Sequence, residues 1–243
     1  KAHPDDPREA QIRAACKTMV KRLQRHQCLD GGWGYLSLDE VPTFQPSFTS
    51  MSFTTGTMLI GLARAKAAGL EVPERMVQRA VDSIARCETP AKAFTYGEIW
   101  RMNPLGSVNN IKGAACRGPG CMEAMALFGK EWSQERWSGA LNALLIDHTR
   151  FQIAGLRRPI PHESHYGVSG YFYLYGHYYA SLAMQRLSPK ERRRFEPALQ
   201  KAVLLCRQPD GSFWDYPLYS YHKPYGTAFA VMALASIAPQ SKE

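Results

Sequence analysis

"QPDGSFWDY" spans residues 208–216 and "QCLDGGWGY" spans residues 27–35, and the likeness of these two stretches decides how the rest of the chain is read. Each sets an Asp-Gly pair directly after a helical run and follows it with large aromatics, Trp33 and Tyr35 in one, Phe213 and Trp214 in the other. Glycine tolerates the left-handed backbone that ends a helix. The aromatics are then placed to fold back over the helix end, and Gln27 and Gln208 to bond the orphan backbone groups of the last turn. The pattern reads as a clamp between structural repeats.

The repeat extends outward from these turns. Four segments share a glycine followed by a small, apolar helical run: Gly56 in "TTGTMLIGLARA", Gly120 in "GPGCMEAMALFG", Gly176 in "LYGHYYASLAMQ" and Gly226 in "PYGTAFAVMALA". Their spacings are 64, 56 and 50 residues. Self-similarity on this scale marks repeat architectures. A more polar segment with its own start signal precedes each one. Asp6-Pro7-Arg8-Glu9 and Ser188-Pro189-Lys190-Glu191 both read as a cap, a proline at the first helical position and a glutamate three after the cap. Pro73-Glu74 and Ser133 open the other two.

The chain therefore alternates between helices with a charged face, over 7–27, 73–87, 134–148 and 189–207, and nearly uncharged ones, over about 50–68, 120–129, 167–187 and 223–238. A helix that is apolar or small all round is buried on most sides. The expectation is an all-α chain, one domain over 1–243, with outer polar helices and inner apolar ones around a central space. "AFTYGEIW" (93–100) is the best strand candidate and reads equally as loop.

Gln27-x-x-Asp30-Gly31-Gly32-Trp33 and Gln208-x-Asp210-Gly211-Ser212-Phe213 resemble the Gln-Trp repeat of squalene cyclases and the related repeats of protein prenyltransferase β-subunits. The resemblance implies an α/α toroid of the terpenoid cyclase kind, with inner and outer helices around an aromatic-lined cavity. Only the first and last repeats carry the motif. Four helical hairpins are fewer than such rings use, so an incomplete ring is the alternative.

The family's catalytic motifs do not carry over. The acid motif Asp-x-Asp-Asp is absent, and the paired aspartates Asp5-Asp6 read as a helix cap. The magnesium motif Asp-Asp-x-x-Asp is absent too. Where the prenyltransferase zinc site wants Asp-x-Cys, "VSGYFYLYG" (168–176) offers Ser169 and Tyr171, and only His222 resembles the family's histidine. One ligand of three makes no zinc site. The expectation is no metal and no cofactor.

The residues after the repeat glycines, Thr57, Cys121, His177 and Thr227, are expected to face one space. Around His177, residues 162–179 hold three histidines, one glutamate and six tyrosines. Tyr171, Tyr175 and Tyr178 share a helical face by their spacing. With Trp100, His222 and Tyr225 they are the candidate ligand-binding residues, since tyrosine rings give apolar walls with polar tips. His162, His165 and His177 are weighed as metal ligands and set aside for want of a cysteine or second carboxylate. Glu98, between Tyr96 and Trp100, is the general-acid candidate, because partial burial raises a carboxyl pKa. His165, Tyr166 and His177 complete the catalytic candidates.

Three readings follow. The first is a cavity protein for an apolar or polyprenoid-like ligand. The second is a polysaccharide lyase on an anionic glycan, with Tyr166 or His165 as base and Arg157 neutralising a carboxylate. The third is a non-catalytic interaction module presenting its repeats as a surface. Composition narrows the partners. The net charge of +9 favours acidic ones. Yet Arg157–Arg158 and Arg192–Arg194 are short clusters without a nucleic-acid motif, and the second reads as a solvated helix face. No stretch reaches the roughly 18 apolar residues of a transmembrane span. The chain starts at Lys1 without a methionine, so a trimmed form and an exported location stay open. Cys116 and Cys121 in "CRGPGC" are weighed as a small disulfide ring.

Overall fold

A computed structural model describes residues 7–35, 49–104, 106–156 and 165–238. Asp5, Asp6, Arg157, Arg158, His162 and Glu163 lie outside them, and with them the cap at Asp6 and the lyase cation at Arg157. The described chain is all-α. Its helices are α1 (Glu9–Arg25), α2 (Ser52–Ala67), α3 (Glu74–Cys87), α4 (Ile111–Ala114), α5 (Gly118–Ala126), α6 (Gln134–Asn142), α7 (Thr149–Gly155), α8 (Tyr173–Met184), α9 (Pro189–Leu204) and α10 (His222–Ile237). Residues 93–100 form neither strand nor helix up to Gly97, where a 3-10 turn begins at Glu98.

The start signals at Ser188 and Ser133 work as the sequence predicts, whereas α1 begins at Glu9 behind Arg8, so Pro7 is not its first helical residue. Ser188 Oγ accepts the Glu191 N–H at 3.3 Å and Ser133 Oγ accepts the Arg136 N–H at 3.2 Å, each satisfying one orphan donor of a helix start. α3 is amphipathic, burying Met76, Val77, Ala80, Ile84 and Cys87 along one stripe. α8 has no polar face, and every residue from Tyr173 to Ser181 is buried. α2 packs on α5, α5 on α8 and α8 on α10, while α3, α6 and α9 each pack against two helices of that series. Small residues permit the close crossings. A Cβ on Gly176 would stand 2.6 Å from the Cβ of Cys116, closer than carbon atoms approach, so α8 meets the segment before α5 only with glycine there.

Among the described residues the clamp turn occurs three times, once more than the sequence shows. After α1, Cys28 N–H bonds Gly32 O and Gly31 N–H bonds Cys28 O. After α9 the same pair runs from Gln208 to Ser212 O and from Gly211 to Gln208 O. After α3 it runs from Thr89 to Ala93 O and from Lys92 to Thr89 O. The residue in the left-handed conformation is Gly31 (φ 100), Lys92 (φ 65) or Gly211 (φ 83). The aromatic that follows, Trp33, Phe94 or Phe213, is buried in each case. A lysine where the other turns hold glycine hid the middle copy. A left-handed lysine costs on the order of 1 kcal/mol, which the buried Phe94 ring outweighs.

The turns also correct two expected equivalences. Cys28 matches Gln208, so Gln27 and Gln208 are not counterparts. Gln27 donates to Gly31 O (2.6 Å) and Met76 O (2.7 Å), tying α1 to α3, whereas Gln208 donates to Cys206 O. Thr55 Oγ1 accepts the Trp33 N–H and Thr227 Oγ1 accepts the Phe213 N–H, both at 2.9 Å. Thr227 thus corresponds to Thr55, not Thr57, and belongs to a clamp. The cysteines of "CRGPGC" are free and buried, and the Cys116 thiol bonds Gln152 Oε1.

Candidate functional site

The inner faces of α2, α8 and α10 bring their aromatic side chains together. Phe53 near the start of α2 meets Phe172 edge-on at 4.9 Å and Tyr175 at 6.0 Å. Tyr175 contacts Tyr179 (4.6 Å), Tyr178 stacks on Phe229 of α10 (5.0 Å, 28°), and Phe229 meets Tyr225 (4.6 Å). Edge-on and offset contacts of this kind add to the area the rings bury. The hydroxyls are tied off at the edges. Tyr175 donates to Phe53 O, Tyr179 donates to Thr57 Oγ1, and Arg64 donates to Tyr178 Oη. Burial holds the Tyr175, Tyr179 and Tyr225 phenols above their ordinary range, so this wall stays neutral. Tyr175, Tyr178 and Tyr179 are buried, while Phe53, Thr57 and Phe229 keep partial exposure, which makes the wall closed on α8 and open on α2 and α10.

A rim continues the cluster past the first turns of these helices. Trp100 meets Tyr96, Tyr96 meets Phe172, and Phe172 meets Tyr171 at 4.6 Å. Tyr171 contacts Tyr216 (5.5 Å) and His222 (6.4 Å), and His222 contacts Tyr219, Tyr221 and Tyr225. The Tyr35 and Tyr96 hydroxyls bond each other. Trp100, Tyr219 and Tyr221 are exposed, an apolar rim with polar tips.

The sequence-predicted residues divide over three places. Trp100, Tyr171, Tyr175, Tyr178, His222 and Tyr225 all belong to the central cluster or its rim. His177 does not. It lies on the opposite side of α8, its ring tilted 33° against Tyr173 at 4.3 Å, and the Tyr173 hydroxyl bonds Ala202 O of α9. Its Nδ1 donates to Tyr173 O at 2.7 Å, its Nε2 is buried without a partner, and burial pulls its pKa down to about 4. The expectation that Thr57, Cys121, His177 and Thr227 share one space therefore fails. Of the four, Thr57 is the one hydrogen-bonded to the tyrosines of the central cluster, because the residues one past each glycine are not in structural register.

Glu98 is held in a fork by Arg86, with Nε and Nη2 at 2.5 and 2.9 Å from its two oxygens, and Ser83 and Arg101 add further contacts. Both oxygens are occupied, and this carboxylate ties α3 to the loop. His165 and Tyr166 belong to a separate ring series, His148–Phe151–Tyr166–His165. There Lys112 Nζ donates to the Tyr166 hydroxyl at 3.2 Å and lies over both the Phe151 and Tyr166 rings. Among the described residues no group of three or more His, Cys, Asp or Glu is placed to hold a metal ion. No described helix is long and apolar enough to cross a membrane.

Three buried charged residues escaped the sequence reading, one of them Glu123 of α5, which pairs with Arg186 at 2.8 Å. Arg117, 3% exposed, donates to the carbonyls of Phe94 and Gly113 at 2.9 and 3.3 Å, and to that of Val108. Burial pulls its pKa down to about 10. It serves the Phe94 clamp as Thr55 and Thr227 serve theirs. Asp215 is fully buried. Its Oδ2 accepts the Leu174 N–H in the first turn of α8 at 2.9 Å, while Oδ1 has no partner. Burial pushes its pKa up to about 7, against the lowering effect of the Leu174 N–H. One signal pointed to it. Counted by twos from the buried Phe213, an extended chain turns Asp215 to the same side.

Comparison of the chain with protein-family models, curated proteins and solved structures finds no match. What its own residues define is an all-α helical-repeat protein with a buried aromatic cluster suited to lining a site for an apolar ligand.

Proposed function

We propose that the protein is a terpenoid-cyclase-like α/α toroid, complete or open, that binds an apolar, polyprenoid-like molecule against the inner aromatic wall. The observation that carries this reading is the unbroken series of ring contacts from Phe53 through Tyr175, Tyr179, Tyr178 and Phe229 to Tyr225, with no carboxylate in it. Such a wall offers dispersion and aromatic quadrupoles to a hydrocarbon and little to a charged group. The order of helix packing, with α2, α5, α8 and α10 in succession and α3, α6 and α9 outside them, supports the toroid. The resemblance of the two Asp-Gly clamps to the Gln-Trp repeat supports the family. Catalysis is not part of the proposal, since the family's acid and metal motifs are missing from the sequence.

Native mass spectrometry tests it. Protein purified from its own source, or incubated with farnesene, is expected to retain one small apolar molecule. A bare protein mass under both conditions would contradict the reading.

A further inference from the structure

The cluster's rim holds two unsatisfied polar atoms that face each other. Asp215 Oδ1 and His222 Nδ1 are both buried and both without a hydrogen-bond partner, and they stand 4.0 Å apart. A buried polar atom left unpaired costs on the order of 1–3 kcal/mol, so two in one place call for a reason. The rest of Asp215 is fixed, because Oδ2 is committed to the Leu174 N–H of α8. No lysine or arginine pairs with it among the described residues. The titratable neighbours are Tyr216 beside it, Tyr171 ahead of α8, Tyr173 in α8, Cys116 before α5, and Tyr225 with His222 on α10. His222 keeps 11% side-chain exposure, none of it at Nδ1.

We infer that Asp215 and His222 form a head-group site, in which the carboxylate accepts a hydrogen bond from Nδ1–H and so leaves Nε2 bare to accept a hydrogen bond from a hydroxyl group at one end of an otherwise apolar ligand. This rests on the proposed function, for it supplies the polar end of a molecule whose chain lies along the wall from Tyr225 to Phe53. The imidazole tautomer is set by the partner of the other ring nitrogen. The two atoms stand roughly 1 Å beyond hydrogen-bond reach, a gap that a small rotation of the ring closes. Burial favours neutral His222, whose pKa lies below the ordinary value, and a neutral ring is the form that has a nitrogen lone pair to offer. When Asp215 takes up a proton the relation inverts. Its hydroxyl then donates to Nδ1, Nε2 carries the hydrogen, and the site prefers a carbonyl or ether oxygen.

Two measurements test the inference. In titrations at pH 8, the wild-type protein is expected to bind farnesol about ten-fold more tightly than farnesene, and His222→Phe is expected to bind the two alike. Equal wild-type binding of both would overturn the head-group site and leave the apolar-ligand reading standing. Binding of neither would overturn the apolar-ligand reading and the head-group site with it. Independently of any ligand, imidazole nitrogen shifts at pH 8 are expected to show His222 protonated on Nδ1, with Asp215→Asn moving the proton toward Nε2. A wild-type Nε2–H tautomer, or no change in Asp215→Asn, would overturn the pairing.

Discussion

The turn after α1 and the turn after α9 share a frame and differ in what they deliver. Both close with the same pair of backbone bonds, both hold a glycine at positive φ, and both bury the next aromatic. Two residues past that aromatic they part. The first turn puts Tyr35 there, 54% exposed, with its hydroxyl on that of Tyr96, which is the matching residue of the middle turn. The last turn puts Asp215 there, 0% exposed. One position of the repeat thus delivers phenols to the rim twice and a buried acid once. The frame is copied, and the chemistry enters by exception.

The largest expected effect breaks the frame unevenly. A Cβ on Gly31 would lie 2.4 Å from the carbonyl oxygen of Arg79 in α3, at φ 100, whereas Gly211 has nothing within 4 Å at φ 83. Gly31→Ala is therefore expected to cost about 3 kcal/mol or more, combining backbone strain and overpacking. Gly211→Ala carries the strain alone, about 1 kcal/mol. Urea denaturation of the two variants checks this. Equal losses would show that the first turn is not wedged under α3.

The second contrast is between Asp210 and Asp215, five residues apart. Burial raises the Asp215 pKa to about 7, well above the unfolded value, so the folded state holds its proton more tightly. Its contribution is most favourable below about pH 4 and is lost as pH rises toward 7, on the order of 4 kcal/mol in all. Asp215→Asn is expected to remove that slope, so the stability difference from wild type shifts in the variant's favour between pH 4 and 7. Asp210 behaves oppositely. Lys223 at 2.7 Å and then Ser212 lower its pKa, so its smaller, solvent-screened contribution is present above the unfolded pKa and lost as pH falls. Thermal melts of Asp210→Asn and Asp215→Asn across pH 2–8 measure both signs, Asp210 below about pH 4 and Asp215 above it. Parallel curves would remove the distinction between the two turns.

The smallest effect sharpens the comparison at the middle turn. Lys92→Gly relieves the only described non-glycine residue at positive φ and is expected to stabilise by about 1 kcal/mol or less. A loss of stability would show that the lysine side chain has a role of its own.

These contrasts mark what the sequence could and could not reveal. Alternation of charged and uncharged helices is written in composition, so α1, α3, α6 and α9 and their apolar partners were legible, as were the caps at Ser133 and Ser188. The tyrosine face of α8 was legible by spacing. His177 was misplaced because Tyr173, Tyr175, His177 and Tyr178 look alike in sequence, while a helix sends Tyr173 and His177 to one side and Tyr175 and Tyr178 to another. Asp215 was hidden because an aspartate beside a turn reads as turn chemistry. Only the contact between Asp215 and Leu174, 41 residues apart, reveals that it caps α8.

The central claim is that an apolar ligand lies along the rings of α2, α8 and α10. Isotope-filtered NOE spectra of the protein with farnesene test it most directly. The account predicts contacts from the ligand to the ring protons of Phe53, Tyr178 and Phe229. Contacts confined to the outward residues Val231 and Met232 of α10, or none at all, would contradict it.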